Sequence, residues 1–171
     1  MAKQCDNKSV GVIIRDGERT LIIKRKNYPV ACACVAGHLD GDSPLDAAMK
    51  ETGEEVGLHV EPARFMERIT ALKLANPCKR DGGLGHEWYV YEVDAPVVVP
   101  KAGSDAKEAL WTTPAELTAL MKRTEDVAKK HGVRTEDLAR STPAIVSDSE
   151  WSANPGLEPV WVVLFRLLQS Q

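Results

Sequence analysis

Residues 37–58 constrain the fold most, because they combine a glycine-rich turn with a helix whose two ends are both marked. Ser43 is suited to the N-cap, Pro44 to the first helical position and Gly57 to the C-terminal stop. Apolar and small residues recur at helical spacing between these ends, so one face of the helix is expected to pack on a core. The pattern therefore predicts a helix over residues 44–56.

Three glutamates occupy the other side of this predicted helix. Glu51, Glu54 and Glu55 are spaced i, i+3 and i+4, so they share an arc of roughly 100°. An acidic cluster on an amphipathic helix is by itself most often a solvated surface. The preceding turn favours a site instead, because Gly37 and Gly41 carry no side chain and let the backbone approach a cation or a phosphate closely. The combination indicates a metal site for a phosphorylated substrate.

The same stretch resembles the signature of the Nudix hydrolases, in which a glycine and a glutamate precede an Arg-Glu-apolar-x-Glu-Glu-x-Gly-apolar run. Here the run reads Lys50-Glu51-Thr52-Gly53-Glu54-Glu55-Val56-Gly57-Leu58. Lys50 replaces the arginine, Asp42 replaces the first glutamate, Thr52 replaces an aliphatic residue, and the glycine-to-acid spacing is one residue short. Because lysine cannot hold a carboxylate with two parallel hydrogen bonds, we expect the acidic side chains to be held less firmly than in the family.

The order of elements around this signature agrees with the resemblance. Strands are expected at residues 10–14, 20–25, 32–35, 65–72 and 87–93, the first two joined as a hairpin through Asp16-Gly17. A capping box at Thr113 predicts a helix from Pro114 to about Lys130, and the segment after Pro159 fits either a helix or a strand. The resemblance implies an α/β fold, an α/β/α sandwich with a mixed β-sheet, and the length suits a single domain over residues 1–171.

Composition narrows the class of protein. The net charge of −3 and the aromatic content of 5% disfavour extended nucleic-acid binding, so a small-molecule partner fits better. The longest apolar run, residues 160–165, is too short to cross a membrane. Because residues 1–9 are polar and show no signal peptide, a cytoplasmic protein is expected.

The four cysteines are Cys5, Cys32, Cys34 and Cys78. One residue separates Cys32 from Cys34, which does not match the usual two-residue separation of zinc-ligand pairs. We therefore interpret all four as reduced thiols, in keeping with a cytoplasmic location.

Candidate substrate contacts lie in the segment before and within the strand at residues 87–93. Lys79 and Arg80, in a glycine-rich loop, are candidates to hold terminal phosphates, although ordinary loop charges are an equal alternative. Period-2 alternation places Trp88 and Tyr89 on opposite faces of the strand, so either is a candidate to stack on a nucleobase. Core packing is the more frequent role of such aromatics. His38, inside the glycine-rich turn, is a further candidate for substrate contact.

The resemblance also points to one more acidic residue. Family members commonly recruit one from a loop ahead of a tryptophan-bearing strand, and residues 103–111 are the equivalent segment here. Asp105 and Glu108 are therefore both candidates for an additional metal ligand or the general base, and the sequence does not choose between them. Either is equally compatible with an exposed loop carboxylate.

The resemblance implies a metal-dependent pyrophosphohydrolase that cleaves a nucleoside diphosphate linked to another moiety. Mg²⁺, or Mn²⁺, would bind the Gly37 carbonyl with Glu51, Glu54 and Glu55, because hard cations prefer oxygen ligands. Lys50 would orient one of these glutamates, and the general base would be a glutamate of the helix or an acid of the later segment. A homodimer is also a reasonable expectation from the family.

Two alternatives stay open at the level of sequence. The changes at Asp42, Lys50 and Thr52 permit a catalytically silent Nudix-fold module that binds a nucleotide without hydrolysing it. The acidic helix is also compatible with a structural role in a protein-interaction domain. Metal-dependent phosphate release would separate the enzyme from both of these.

Overall fold

The structure is a computed structural model that describes residues 3–95 and 100–171. Met1 and Ala2, part of the polar segment considered above, lie outside the described residues. The strands in the described part are β1 (Lys8–Asp16), β2 (Arg19–Arg25), β3 (Cys32–Ala33), β4 (Val35–His38), β5 (Met66–Leu74), β6 (His86–Asp94) and β7 (Ala106–Thr112). The α-helices are α1 (Pro44–Val56), α2 (Pro114–Lys130), α3 (Thr142–Val146) and α4 (Pro159–Gln169), with 3₁₀ turns at Pro62–Arg64 and Thr135–Asp137.

The strands form one mixed sheet built around β1. Strand β1 pairs in parallel with β6 along one edge, and antiparallel with β4 and β2 along the other. Strand β5 extends the sheet beyond β6, and β7 extends it beyond β2, both antiparallel. With helices packed against this sheet, the architecture is the expected α/β/α sandwich.

The local signals in the sequence set the helix boundaries correctly. Helix α1 begins at Pro44 and ends at Val56, with the Ser43 hydroxyl accepting a hydrogen bond from the Asp46 N–H at 3.2 Å. Gly57 takes the left-handed conformation (φ 69°) that closes the helix. Helix α2 likewise begins at Pro114 behind a capping box. The predicted α1 and α2 are therefore confirmed.

Three details differ from the sequence-based expectation. The strand expected over residues 32–35 is divided, because Cys34 lies between the short strands β3 and β4. The segment after Pro159 is a helix, and its buried residues Trp161, Leu164 and Phe165 follow helical spacing. Helix α3 was not predicted, since its five residues are too few to show a periodic pattern.

The C-terminal segment completes the core of the sheet. The side chains of Trp151, Trp161 and Leu164 are at most 1% exposed. The Trp161 ring meets Trp88 of β6 edge to face, with ring centroids 6.0 Å apart, and lies directly over Gly11 of β1.

None of the helices in the described residues has the length and apolar character needed to cross a membrane.

We expect Gly11→Ala to destabilise the protein by about 1–3 kcal/mol, the usual cost of overpacking a core. A Cβ at this position would lie 2.6 Å from the Trp161 ring, which is fully buried. Gly53→Ala in helix α1 is the control. Its Cβ would meet nothing closer than 3.4 Å, so the gain in helix propensity should stabilise by about 0.5–1 kcal/mol. Chemical denaturation measures both, and equal effects would contradict the packing argument.

Candidate active site

An open cavity of about 560 Å³ lies between helix α1, the end of β4 and the loops before β6 and β7. Most of the site residues predicted from the sequence line it. These are Gly37, His38, Lys50, Glu51, Glu54, Glu55, Lys79, Arg80, Trp88 and Asp105. Tyr89 and Glu108 are not among the residues that line the cavity.

The side chain of Glu51 lies directly against the backbone of Gly37. A Cβ on Gly37 would be 2.1 Å from the carboxyl carbon of Glu51 and from its Oε1 atom. Position 37 therefore accepts only glycine while Glu51 keeps this place. Burial, followed by the negative charge of Glu54, raises the pKa of the Glu51 carboxyl to about 7.

Glu55 is held more deeply, one turn further along the same helix. Its Oε2 atom accepts a hydrogen bond from the Ala36 N–H at 3.0 Å. Burial raises the pKa of the Glu55 carboxyl to about 8, and this hydrogen bond and the charge of Arg25 oppose the rise only in part. Glu54 is exposed at the cavity. Helix α1 thus presents two half-buried carboxyls and one solvated carboxylate to a single space.

The donor chemistry of this space fits a hard divalent cation. Within the described parts of the chain, none of the three glutamates forms an ion pair with a lysine or arginine. The protein itself therefore provides no direct ion-pair partner for these carboxyl groups when they ionise. Carboxylate and carbonyl oxygens are the ligands that Mg²⁺ and Mn²⁺ prefer.

Lys50 does not pair with any of these glutamates. Its Nζ atom lies 3.7 Å from Oδ2 of Asp42, and both side chains are about half exposed. The orienting role expected of Lys50 toward a glutamate therefore stays a prediction.

Three charged residues of the cavity, Arg25, Asp40 and Glu158, were missed from the sequence. Arg25, at the end of β2, lies 3.7 Å from Glu158, and both line the cavity. Burial raises the pKa of Glu158, with the charge of Arg25 opposing the rise. Glu158 stands at the N-terminus of α4, far along the chain from the signature, so no local pattern connected it with the site. The one available signal for Arg25 was its position as a charged residue at the end of the apolar run of β2.

The structure separates the two candidates for an additional acid. The Gly103 N–H donates to the Glu55 carbonyl at 2.8 Å, which docks the loop ahead of β7 onto the end of α1 and brings Asp105 to the cavity. There the Asn27 side chain donates to Asp105 at 3.2 Å. Glu108 lies within β7, not in a loop, and pairs with Lys24 at 2.8 Å on the exposed surface.

Both loop cations have partners within the protein. Arg80 binds the two carboxylate oxygens of Asp40 at 2.5 and 3.1 Å, and this pairing holds the pKa of Asp40 well below its usual range. The Nζ atom of Lys79 lies 4.9 Å from the ring centroid of Tyr28. Tyr28 itself lines the cavity and is a half-buried aromatic that the sequence analysis did not consider.

The aromatic pair of β6 faces two environments. Trp88 is 3% exposed, and its indole N–H donates to Oδ1 of Asn76 at 2.9 Å, so it is mainly a core residue at the cavity wall. The Tyr89 hydroxyl donates to Glu87 at 2.6 Å, away from the cavity. His38 ends β4 at the cavity wall, where burial lowers its pKa to about 4.

Comparison with known proteins identifies relatives of this fold. A family model described as "NUDIX domain" matches residues 6–133. Similar solved structures include a dihydroneopterin triphosphate pyrophosphohydrolase from E. coli, with 19% identity, a TM-score of 0.55, and coverage of 68% of this chain and 87% of that one. None of the curated proteins compared with the chain matches it.

Two further structures match only part of longer chains. One is a bifunctional NMN adenylyltransferase/ADP ribose pyrophosphatase from Francisella tularensis, complexed with AMP and a Mn ion (17% identity, TM-score 0.53, 70% of this chain and 37% of that one). The other is a MutT/nudix family protein from Enterococcus faecalis (22% identity, TM-score 0.50, 61% and 42%). The chain thus spans about two fifths of their length, and at these identities the likeness shows the fold.

The raised pKa of Glu55 predicts a pH-dependent gain in stability from Glu55→Gln. The folded wild type keeps this carboxyl protonated up to about pH 8, whereas the unfolded chain ionises it near pH 4.5. The Glu55 carboxyl therefore makes its full contribution to wild-type stability below about pH 4.5, where it is protonated in both states. This contribution is lost as the pH rises toward 8. We expect the urea midpoint of Glu55→Gln, measured without added divalent cations, to rise relative to that of wild type as the pH increases across this range.

Glu18→Gln is the matched control, because it makes the same substitution at an exposed turn residue that does not line the cavity. Groups that do not interact with Glu55 are common to all three proteins and cancel in the comparison, whereas Glu51, whose charge acts on Glu55, contributes to the difference. A constant difference between Glu55→Gln and wild type would contradict the burial of Glu55.

Proposed function

Because the chain belongs to the Nudix family of hydrolases, which act on phosphorus-containing anhydrides, we propose that it cleaves a nucleoside diphosphate linked to another moiety. The proposed cofactor is Mg²⁺, with Mn²⁺ as a substitute. The observation that carries this proposal is the placement of Glu51 against Gly37, with Glu54 and Glu55 facing the same cavity. A cation held by these three glutamates and the Gly37 carbonyl would offset the pyrophosphate charge and lower the pKa of a bound water.

The surrounding residues have distinct tasks in this proposal. The Ala36 N–H and the charge of Arg25 hold Glu55 in place and favour its ionised form. Gly37 leaves room for Glu51 beside the backbone. Asp105, fixed by the docked loop, is the favoured candidate for the general base among the later acids, because Glu108 is remote from the cavity.

The substrate side of the cavity supports a nucleotide derivative. Its volume of about 560 Å³ suits a small molecule, since such sites usually measure about 300–1,000 Å³. Arg80 and Lys79 supply positive charge opposite the acidic helix, and Tyr28 supplies an aromatic face. The similar structures include an ADP ribose pyrophosphatase and a dihydroneopterin triphosphate pyrophosphohydrolase, which supports the reaction class without selecting a substrate.

The unit that would carry this activity includes the segment beyond residue 133. Residues 134–171 lie outside the family match, yet Trp151 and Trp161 are buried in the common core and Glu158 reaches the cavity. These contacts support a single domain. Assembly as a homodimer is a further proposal, which sedimentation analysis of the purified protein tests.

A silent nucleotide-binding module is the second candidate, and one observation favours it. Lys50 pairs with Asp42 and leaves the glutamates without the cationic partner that the family signature supplies. A module of this kind would bind a nucleotide in calorimetry yet release no phosphate or nucleotide from any compound tested with Mg²⁺.

The test of hydrolysis is a panel of nucleoside triphosphates, ADP-ribose, dinucleoside polyphosphates and nucleotide sugars, assayed with Mg²⁺ for product release. Glu54→Gln should keep the fold, because the side chain is exposed and its size is unchanged, but it should lower kcat at least about 100-fold. It should also abolish thermal stabilisation by Mg²⁺. Glu18→Gln is the control. If millimolar Mg²⁺ neither stabilises the wild type nor supports hydrolysis, the metal-dependent enzyme is ruled out.

Arg80→Ala should raise KM for the best substrate roughly 10-fold or more and change kcat less, since a phosphate contact made throughout the reaction contributes uniform binding. Asp40→Asn is the matched variant, because it disrupts the same ion pair while keeping the Arg80 cation. It should leave KM unchanged or lower it. Equal increases in KM for both variants would show that the ion pair only shapes the loop.

A further inference from the structure

Four side chains from separate segments converge beside the cavity. They are Cys5 near the N-terminus, His38 at the end of β4, Cys78 in the loop before β6, and His86 at the start of β6. Their potential ligand atoms all lie within 4.8 Å of one another. Among residues 3–95 and 100–171, no other set of three or more His, Cys, Asp or Glu side chains comes together this closely. This group is named the thiol–imidazole cluster below.

The distances within the cluster suit a tetrahedral metal ion. The Sγ atoms of Cys5 and Cys78 are 3.7 Å apart, and the Cys5 Sγ lies 3.3 Å from Nε2 of His86. Around Zn²⁺, with Zn–S of about 2.3 Å and Zn–N of about 2.0–2.1 Å, tetrahedral geometry separates two sulfurs by about 3.8 Å and a sulfur from a nitrogen by about 3.6 Å. A disulfide needs sulfurs only about 2.05 Å apart, so the two thiols are free.

Both imidazoles are prepared to donate a lone pair. The Nδ1 atom of His86 lies 2.8 Å from the backbone carbonyl of Asn76. A carbonyl only accepts, so Nδ1 carries the proton and Nε2 of the neutral ring presents its lone pair to Cys5. The Nε2 atom of His38 is buried and has no hydrogen-bond partner in the described structure. An unpartnered buried nitrogen is costly, and a metal ion would satisfy it.

Each sulfur of the cluster is stabilised by the backbone around it. The Asn7 N–H donates to Sγ of Cys5 at 3.3 Å, and the Arg80 N–H donates to Sγ of Cys78 at 3.4 Å. Both donors stand two residues after their cysteine, so the two segments turn around their sulfurs in the same way. Hydrogen bonds of this kind favour the thiolate, which is the form that binds a metal.

We propose that Cys5, His38, Cys78 and His86 bind one Zn²⁺ ion in a structural site. Two sulfurs and two nitrogens favour zinc over Mg²⁺, which prefers oxygen. Four protein ligands leave no open position for a substrate or water, which is typical of structural zinc. This site is separate from the glutamates of α1 and does not depend on the proposed hydrolysis.

The protonation states agree with such a site at neutral pH. Burial lowers the pKa of His38 to about 4 and also lowers the pKa of His86, so both rings are neutral and able to ligate. Burial raises the pKa of the Cys5 thiol, so zinc would displace a proton from it on binding.

Zinc here would fasten the substrate side of the cavity. Cys78 directly precedes Lys79 and Arg80, and His38 directly follows Gly37. The ion would therefore tie the loop that carries the two cations to the turn that carries the acidic site. Cys5 would also hold the N-terminal segment to the ion. The Cys5 N–H donates a hydrogen bond to the Asp81 carbonyl at 2.8 Å, which holds the same segment to the loop before β6.

All four cysteines are free thiols, as the sequence analysis interpreted them, but their spacing carried no signal of this cluster. It directed attention to Cys32 and Cys34, which are buried in the core and lie outside the cluster. The ligands of the cluster come from four segments that only the fold brings together. The proposal adds a metal-binding role for Cys5 and Cys78 to their interpretation as reduced thiols.

Metal analysis of the purified protein tests this site. Wild type produced and purified with zinc in all buffers should carry about one zinc ion per chain by native mass spectrometry and elemental analysis. Cys78→Ala and His38→Ala should retain less than about a tenth of that amount, because each removes one of four ligands. Cys32→Ala and His59→Ala are the matched controls, and both should retain zinc as wild type does.

Cobalt spectroscopy covers the case in which a variant fails to fold. Reduced, metal-free wild type titrated with Co²⁺ should develop the ligand-field bands of tetrahedral cobalt and a sulfur-to-cobalt charge-transfer band, both removed by zinc. Octahedral bands, zinc content unchanged in Cys78→Ala, or a wild type without zinc would overturn the proposal. Peptide mapping that finds Cys5 joined to Cys78 in protein kept with zinc would assign the pair to a disulfide instead.

Discussion

The close approach of helix α1 to strand β4 determines the character of the whole cavity. The carboxyl group of Glu51 occupies the space where any other residue at position 37 would carry its Cβ. The neighbouring Ala36 N–H binds Glu55, so two carboxyls one turn apart are held against one strand. Their burial raises the pKa of both, because the cationic and N–H groups of the protein around them offset the charge of the ionised forms only in part. The proposed affinity for a metal thus originates in packing.

The C-terminal segment is as important to this arrangement as the signature itself. Trp161 packs on Gly11 and Trp88, so α4 supports the two parallel strands at the centre of the sheet. Glu158, the N-cap residue of the same helix, pairs with Arg25 at the cavity. Arg25 in turn acts on the charge of Glu55. A segment beyond the family match therefore influences the electrostatics of the acidic helix.

The sequence predicted what local signals determine and missed what long-range contacts determine. Helix α1 could be placed to the residue, because its cap, its proline and its closing glycine are all adjacent in the chain. The pairing of Arg25 with Glu158 could not be predicted, since no periodic pattern links the end of one strand with the start of a distant helix. Asp105 and Glu108 were equivalent in sequence, and only the docking of Gly103 on Glu55 distinguishes them.

Strand β4 connects the acidic site with the proposed zinc site. Gly37 faces Glu51, and the next residue, His38, belongs to the thiol–imidazole cluster. The two sets of candidate ligands border the same cavity but share no residue, so adjacent positions of one short strand can serve two sites. Hard oxygen donors in one site and sulfur and nitrogen donors in the other select different metals. Because the two residues share a peptide bond, a zinc ion that fixed His38 would also limit movement of the Gly37 carbonyl, and with it the geometry of the acidic site.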